Sequence, residues 1–247
     1  MEEIATEKIS LAVSDGSTMK AYVARPTHAG KHPGILVFQE AFGVTAHIRD
    51  IADRFARIGI VAIAPELFHR AGPGIEIGYD DLPKAMQYAR AATTENLIDD
   101  IKAAYDWLTK DPNVYRDRIA SIGFCMGGRV SFLACTTVPL QAAISFYGGG
   151  IAPSLLPRIP NLRAPVLFFW GGLDKHIGQD QIRPVIDDCK KLGKPYVNVE
   201  ISDADHAFFR DGGPNYHPAA ASLTWNLTVS LLDLQVKEPH KRARIKD

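Results

Sequence analysis

Four side chains able to take part in acyl transfer stand directly after apolar, strand-like runs: Glu40, Cys125, Asp174 and His206. A thiol beside an imidazole is a nucleophile with its own proton carrier, and a carboxylate can orient the imidazole and stabilise its charged form. The most informative surroundings are those of Cys125, in Ile122-Gly123-Phe124-Cys125-Met126-Gly127-Gly128. An apolar run from Arg118 to Ile122 leads in, and a small-residue helical pattern from Arg129 to Ala134 leads out. The spacing G-x-C-x-G at a strand-to-helix corner is that of a nucleophile elbow, with Cys where Ser is usual. Gly123 and Gly127 are expected where a Cβ would strike the neighbouring strand or helix. The corner sets the sulfur at a helix N-terminus, where unpaired N–H groups favour negative charge. The competing reading is a structural cysteine buried at a tight turn.

His206 follows the last strand-like run, Tyr196–Ile201, where a general base for Cys125 would stand. The other histidines lie in loops, at turns, at a helix start or near the C-terminus; the alternative for His206 is a surface loop residue. Asp174, after Gly171-Gly172-Leu173, would orient His206; its alternative is an ordinary turn aspartate. Asp203 and Asp205 are rivals, but sharing a loop with His206 makes a well-aligned contact harder for them. The order Cys, Asp, His along the chain is that of the α/β-hydrolases. An oxyanion needs two N–H donors, and the backbone of Met126 and of Ala41 would supply them. Glu40 is anomalous, because a carboxylate beside a thiolate repels it; a solvated loop glutamate is the alternative.

These groups need a scaffold that brings distant strand ends to one rim. Lys8–Val13 and Thr18–Arg25 read as a hairpin turning at Asp15-Gly16. Buried strands are expected from Gly34, Ile60, Arg118, Ala142, Pro165 and Tyr196. Helices are expected over 46–58, 81–91, from Thr94 as a cap to about 111, after the elbow, over 180–192 and over 218–235. The segment between Pro65 and Asp81 is irregular, and a loop of that length after a strand end tends to cover a site. Alternating strands and helices predict an α/β fold with a mostly parallel sheet and helices on both faces, whose ligands bind beyond the carboxyl ends of the strands. Without repeats or linkers, residues 1–247 read as one domain, with 1–7 and 237–247 as flexible ends.

Bulk properties narrow the partners. Lys plus Arg equal Asp plus Glu at 28 each, so nothing global favours nucleic acid or an anionic membrane. No apolar run is long enough for a bilayer, and Met1–Ser10, broken by Glu2, Glu3 and Glu7, does not read as a signal peptide. Three irregularly spaced cysteines argue against a disulfide framework and for a reducing, cytoplasmic setting. No metal spacing and no cofactor fingerprint is seen, and Cys135 and Cys189, in helical patterns, read as inert. A monomer or small homo-oligomer is expected.

The motifs Gln39-Glu40-Ala41-Phe42-Gly43-Val44, Gly123-Phe124-Cys125-Met126-Gly127-Gly128, Phe146-Tyr147-Gly148, the turn at Asp174 and His206-Ala207-Phe208-Phe209-Arg210 together resemble the dienelactone hydrolase family, the carboxymethylenebutenolidase-like branch of the α/β-hydrolases. The resemblance implies a triad of Cys125, His206 and Asp174, with oxyanion donors at Ala41 and Met126. It gives Glu40 a role as the group that takes the thiol's proton when substrate arrives. It implies substrate contacts at Arg210, Tyr147 and Phe42. The family uses a second arginine to hold a dienelactone carboxylate; only Arg70 and Arg90 follow the Ile60 strand, and neither matches its place. The expectation is a carboxylic ester hydrolase that cleaves an activated ester or enol lactone through an acyl-thioester. The alternative is a small-molecule or thiol-sensing binder on the same fold that does not turn over.

Overall fold

The computed structural model describes residues 3–237, in two compact units divided between Ile119 and Ala120. In the first, β1 (Ile4–Ala12) and β2 (Thr18–Pro26) form the expected antiparallel hairpin. The expected flexible N-terminal end, 1–7, is instead strand from Ile4 onward, because Ile4 pairs with Pro26 and each residue after it finds a partner on β2. β3 (His32–Phe38) runs parallel to β4 (Val61–Pro65), which lies antiparallel to β2, so the order is β1-β2-β4-β3. Every residue of β3 and β4 is buried. With side chains alternating between faces, that means both faces are covered. The first helix, α1 (Ala46–Arg57), supplies part of the cover with Ile48, Ile51 and Phe55.

Two further helices complete this unit. α2 (Leu82–Ala91) starts at Asp81, whose carboxylate accepts the Lys84 N–H, and α3 spans Thr94–Lys110. The cap of α3 is Thr93 rather than Thr94: the Thr93 hydroxyl accepts the Asn96 N–H at 3.3 Å. Two adjacent threonines are both good caps, so the local pattern could not choose between them.

A buried ionic cluster ties this unit together. Asp100 on α3 has no solvent exposure. It lies 3.0 Å from Nε2 of His69 and accepts Arg70 at 2.9–3.0 Å, while Arg70 Nε reaches Asp15 in the hairpin turn at 2.7 Å. The irregular segment after β4 is thereby pinned to both the hairpin and α3.

β5 (Val114–Phe124) crosses the division between units. In the second unit its end pairs in parallel with β6 (Ala142–Phe146), then β7 (Val166–Gly171), then β8 (Tyr196–Ile201). α4 (Met126–Thr137) follows β5, α5 (Gln179–Lys191) follows β7, and α6 (Pro218–Leu232) follows β8. β6 and β7 are wholly buried, whereas β8, with a neighbour on one side, is half exposed. Short 3-10 turns at His69–Ala71 and Leu156–Asn161 were not foreseen. The latter holds Pro157 and Pro160, which erase any helical periodicity. Of the flexible end expected at 237–247, all but Lys237 lies outside the described residues. Among the described residues no helix is long and apolar enough to cross a membrane.

Removing the shared acceptor of the ionic cluster should be costly, because it strands a buried imidazole and a half-buried guanidinium. Asp100→Ala is expected to lower unfolding free energy by about 3 kcal/mol or more, read by urea denaturation. A loss under about 1 kcal/mol would mean that the carboxylate contributes no more than a surface ion pair.

Candidate active site

Cys125 sits at the corner between β5 and α4 with φ 55° and ψ −118°, a conformation that non-glycine residues rarely adopt. Three contacts hold it there. The Cys125 N–H donates to Phe146 O at 3.0 Å. A Cβ on Gly123 would come within 1.9 Å of Gly127 O, and one on Gly128 within 2.6 Å of Phe146 O. The crowding thus falls on Gly123 as expected, with Gly128 as the second position of close approach. Met126 is the first residue of α4, so its N–H has no carbonyl one turn back to bond. The sulfur is partly exposed, while Cys135 and Cys189 are buried.

Asp174 and His206 come together through the loops after β7 and β8. A Cβ on Gly171 would be 2.6 Å from Ala204 O, and one on Gly172 2.7 Å from Ser202 Cα. Only glycines let the two loops press this close, and Leu173 N–H then donates to Ala204 O at 2.9 Å. The result is a 2.7 Å contact between Asp174 Oδ2 and His206 Nδ1. The other Asp174 oxygen accepts the His176 N–H at 2.8 Å. The rival carboxylates are engaged elsewhere. Asp205 accepts the N–H of His206 itself at 2.6 Å, and Asp203 faces His217 at 3.3 Å.

Burial alone would push the His206 imidazole down. Hydrogen bonds to Asp174 and to the Cys125 sulfur, together with the charges of both, outweigh burial and raise its pKa to about 10. Burial likewise pushes the Asp174 carboxyl up, but the His206 hydrogen bond and charge and the His176 N–H bring it below its ordinary value. Imidazole and carboxylate therefore form a charge-assisted pair within this unit, and the Cys125 sulfur adds to the rise of the imidazole. Tyr147 packs its ring 5.0 Å from that of His206, and His176 lies edge-on at 5.6 Å. Like Cys125, Tyr147 and Ala207 have positive φ, 37° and 63°, so backbone strain gathers around these loops.

Of the expected substrate-contact residues, Tyr147 has no solvent exposure and serves as packing for His206. Arg210 lies in the turn after His206, with its guanidinium folded over Gly213. Arg70 is committed to Asp15 and Asp100, and Arg90 is exposed at the end of α2.

Glu40, Ala41 and Phe42 belong to the first unit. Glu40 is 1% exposed, which rules out the solvated loop glutamate. Its carboxylate accepts the Tyr79 hydroxyl at 3.1 Å; that hydroxyl also lies 3.0 Å from Thr45 Oγ1, and the Tyr79 ring packs 4.7 Å from Phe42. Ile77 N–H donates to Phe42 O at 2.9 Å, and a Cβ on Gly43, where φ is +93°, would be 2.1 Å from Ile75 O. It is therefore residues 75–79 of the irregular segment that fold over the Glu40 loop. The sequence flagged that segment without identifying Tyr79 as its contact.

A family model described as the dienelactone hydrolase family matches residues 19–235. The chain belongs to the dienelactone hydrolase family. It is a hydrolase with the α/β-hydrolase fold of that family. A protein of Escherichia coli O157:H7, provisionally named a carboxymethylenebutenolidase, is 35% identical over 222 residues, 86% of this chain and 81% of its own. A Synechocystis protein with the same provisional name is 30% identical over 227 residues, 87% of this chain and 92% of its own. Among solved structures, a provisionally assigned dienelactone hydrolase from Klebsiella pneumoniae subsp. pneumoniae MGH 78578 superposes with a TM-score of 0.86 at 30% identity, over 94% of this chain and 99% of its own. The family match spans both units.

The three thiols should separate sharply in reactivity. Burial pushes Cys135 and Cys189 up to about 11. Brief treatment with iodoacetamide at pH 8 is expected to place a single label, on Cys125, with the other two modified only after denaturation. Comparable labelling of all three by peptide mass mapping would remove the distinction.

Proposed function

We propose that the protein hydrolyses an activated carboxylic ester or enol lactone of a small molecule, with Cys125 as nucleophile, His206 as proton carrier and Asp174 as its orienting carboxylate. The observation that carries this reading is the strained Cys125 joined through His206 to Asp174 at 2.7 Å. The sulfur attacks the substrate carbonyl carbon as a thiolate, and the carbonyl oxygen becomes an oxyanion on the Met126 N–H. The bond from carbon to the leaving oxygen breaks, and the His206 imidazolium gives that oxygen its proton. An acyl-thioester and a neutral imidazole remain. Water then adds to the thioester, losing a proton to His206, and the acid leaves as the sulfur departs as thiolate. A thiolate expels good leaving groups readily, which favours enol and aryl esters over amides.

The Ala41 N–H as second oxyanion donor rests on the family resemblance, as does the part of Glu40, which would take the thiol's proton only if Cys125 rests as a thiol and so stands as the alternative to a resting thiolate beside His206. The single domain rests on a chain without repeats or linkers, and the cytoplasmic setting on its three irregularly spaced cysteines. Arg210 and Phe42 are retained as candidates for substrate contact on the family resemblance.

Cys125→Ala should reduce turnover of p-nitrophenyl acetate by roughly three orders of magnitude or more, while the parent turns over far beyond one equivalent. A parent that releases one equivalent of p-nitrophenol and stops would instead support the non-turnover binder.

The proton on His206 sets the alkaline limit. Its folded pKa, about 10, lies above the ordinary 6.5, so the imidazolium is present at neutral pH and is lost as pH climbs through about 10. kcat/KM for a p-nitrophenyl ester is expected to fall through that range. Asp174→Asn removes a group that raises the imidazole, so the fall should move to lower pH. An unmoved alkaline limb in that variant would show that another group sets it.

A further inference from the structure

We propose that Arg129, one helical turn after Cys125 on α4, holds a carboxylate carried by the acyl part of the substrate. The inference rests on the ester-hydrolase reading above and adds to it the residue that selects the substrate.

The side chain of Arg129 is placed by the elbow. Residues one turn apart share a helix face, and a helical side chain leans back over the turn that precedes it. Arg129 N–H approaches Cys125 O at 3.4 Å, so the turn is closed. The guanidinium stem runs along the loop after β6: an added Cβ on Gly150 would lie 3.6 Å from both Cδ and Nη1 of Arg129. The backbone of Arg129 therefore stands about 6 Å along the helix axis from that of Cys125, and its guanidinium lies against the loop after β6.

The guanidinium is half buried, yet among the described residues it makes no ion pair or hydrogen bond. Arg25, Arg54 and Arg70, by contrast, all meet carboxylates. Burial pushes the Arg129 guanidinium below its ordinary pKa, and the Cys125 sulfur is the one group that pushes back. A partly desolvated arginine without a carboxylate partner suits a ligand that brings its own anion. A single positive charge close to a thiolate fits a carboxylate better than a phosphate dianion, which would leave a second negative charge facing the sulfur. Once the thioester forms, the sulfur is neutral and the Arg129 charge is free to hold the acyl chain while water enters.

The experiment compares mono-p-nitrophenyl succinate with p-nitrophenyl acetate, on the parent, Arg129→Gln and Arg129→Lys. The parent is expected to favour the succinate, and Arg129→Gln to lower the ratio of kcat/KM for succinate over acetate by about 10-fold or more, chiefly through KM. Arg129→Lys should recover part of that ratio. Circular dichroism confirms that each variant is folded. A ratio that does not change overturns the proposal. So does an equal loss on both esters accompanied by slower Cys125 alkylation, which would place Arg129 in support of the thiolate. A parent inactive on both esters removes the hydrolase reading, and the subsite is then read directly. Monomethyl succinate should slow iodoacetamide labelling of Cys125 in the parent but not in Arg129→Gln; equal labelling in the two would overturn it.

Discussion

The close approach of α4 to the ends of β5 and β6 is the constraint on which the rest depends. Cys125 holds a backbone conformation that costs on the order of 1–3 kcal/mol. It persists because Gly123, Gly128 and the Cys125–Phe146 hydrogen bond leave no other path for the chain. Wholly buried β6 anchors those contacts. One consequence is steric: the sulfur is lifted off the strand and remains partly exposed. Another is electrostatic: the N-terminus of α4 begins under the sulfur, with its first N–H groups unsatisfied. The same helix then carries Arg129 one turn further on. A bulkier residue at either glycine would move all of these together, so the corner acts as a single device.

A second close approach completes the first. Gly171 and Gly172 let the loop after β7 lie against residues 202–205, which carries Asp174 to His206. The aromatic surroundings, Tyr147 beside His206 with Phe208 at 5.4 Å and Phe146 at 6.0 Å from Tyr147, cover one side of a partly exposed imidazole. Such surroundings cut both ways. They disfavour the charged ring, and they strengthen its hydrogen bonds to the carboxylate and the sulfur. Here the partners prevail, Asp174 first and the Cys125 sulfur after it.

Much of this was legible before any coordinates. The strands of both units and the order Cys125, Asp174, His206 follow from apolar runs and turn residues, because a parallel strand covered on both faces must be apolar throughout. What sequence could not supply was contact between segments distant along the chain. Nothing local distinguishes Arg70, bound to Asp15 and Asp100, from Arg129, which meets no carboxylate among the described residues. Gly171-Gly172 read as a turn, when their role is to admit Ala204 and Ser202 at close range. Tyr79 gave no periodic signal, since an irregular segment has no face to predict. The N-terminal strand was underestimated for a related reason: an edge strand with exposed side chains at most positions looks like a solvated tail until its pairing is known.

The charge-assisted pair and the sulfur beside it also explain how one imidazole could serve two opposite steps. In the mechanism proposed above, the resting imidazolium would draw first on Asp174 and then on the Cys125 sulfur. Acylation would remove the sulfur's charge and its hydrogen bond at the moment the ring gives up its proton. Only Asp174 then supports the charged form, while burial still opposes it. The neutral ring would thus be favoured in the proposed thioester, where a base for water is needed. In the same proposal, departure of the acid would restore the thiolate and, with it, the reason for the ring to keep the proton taken from water. The alternation requires no movement of His206, because the group that changes charge is the nucleophile beside it.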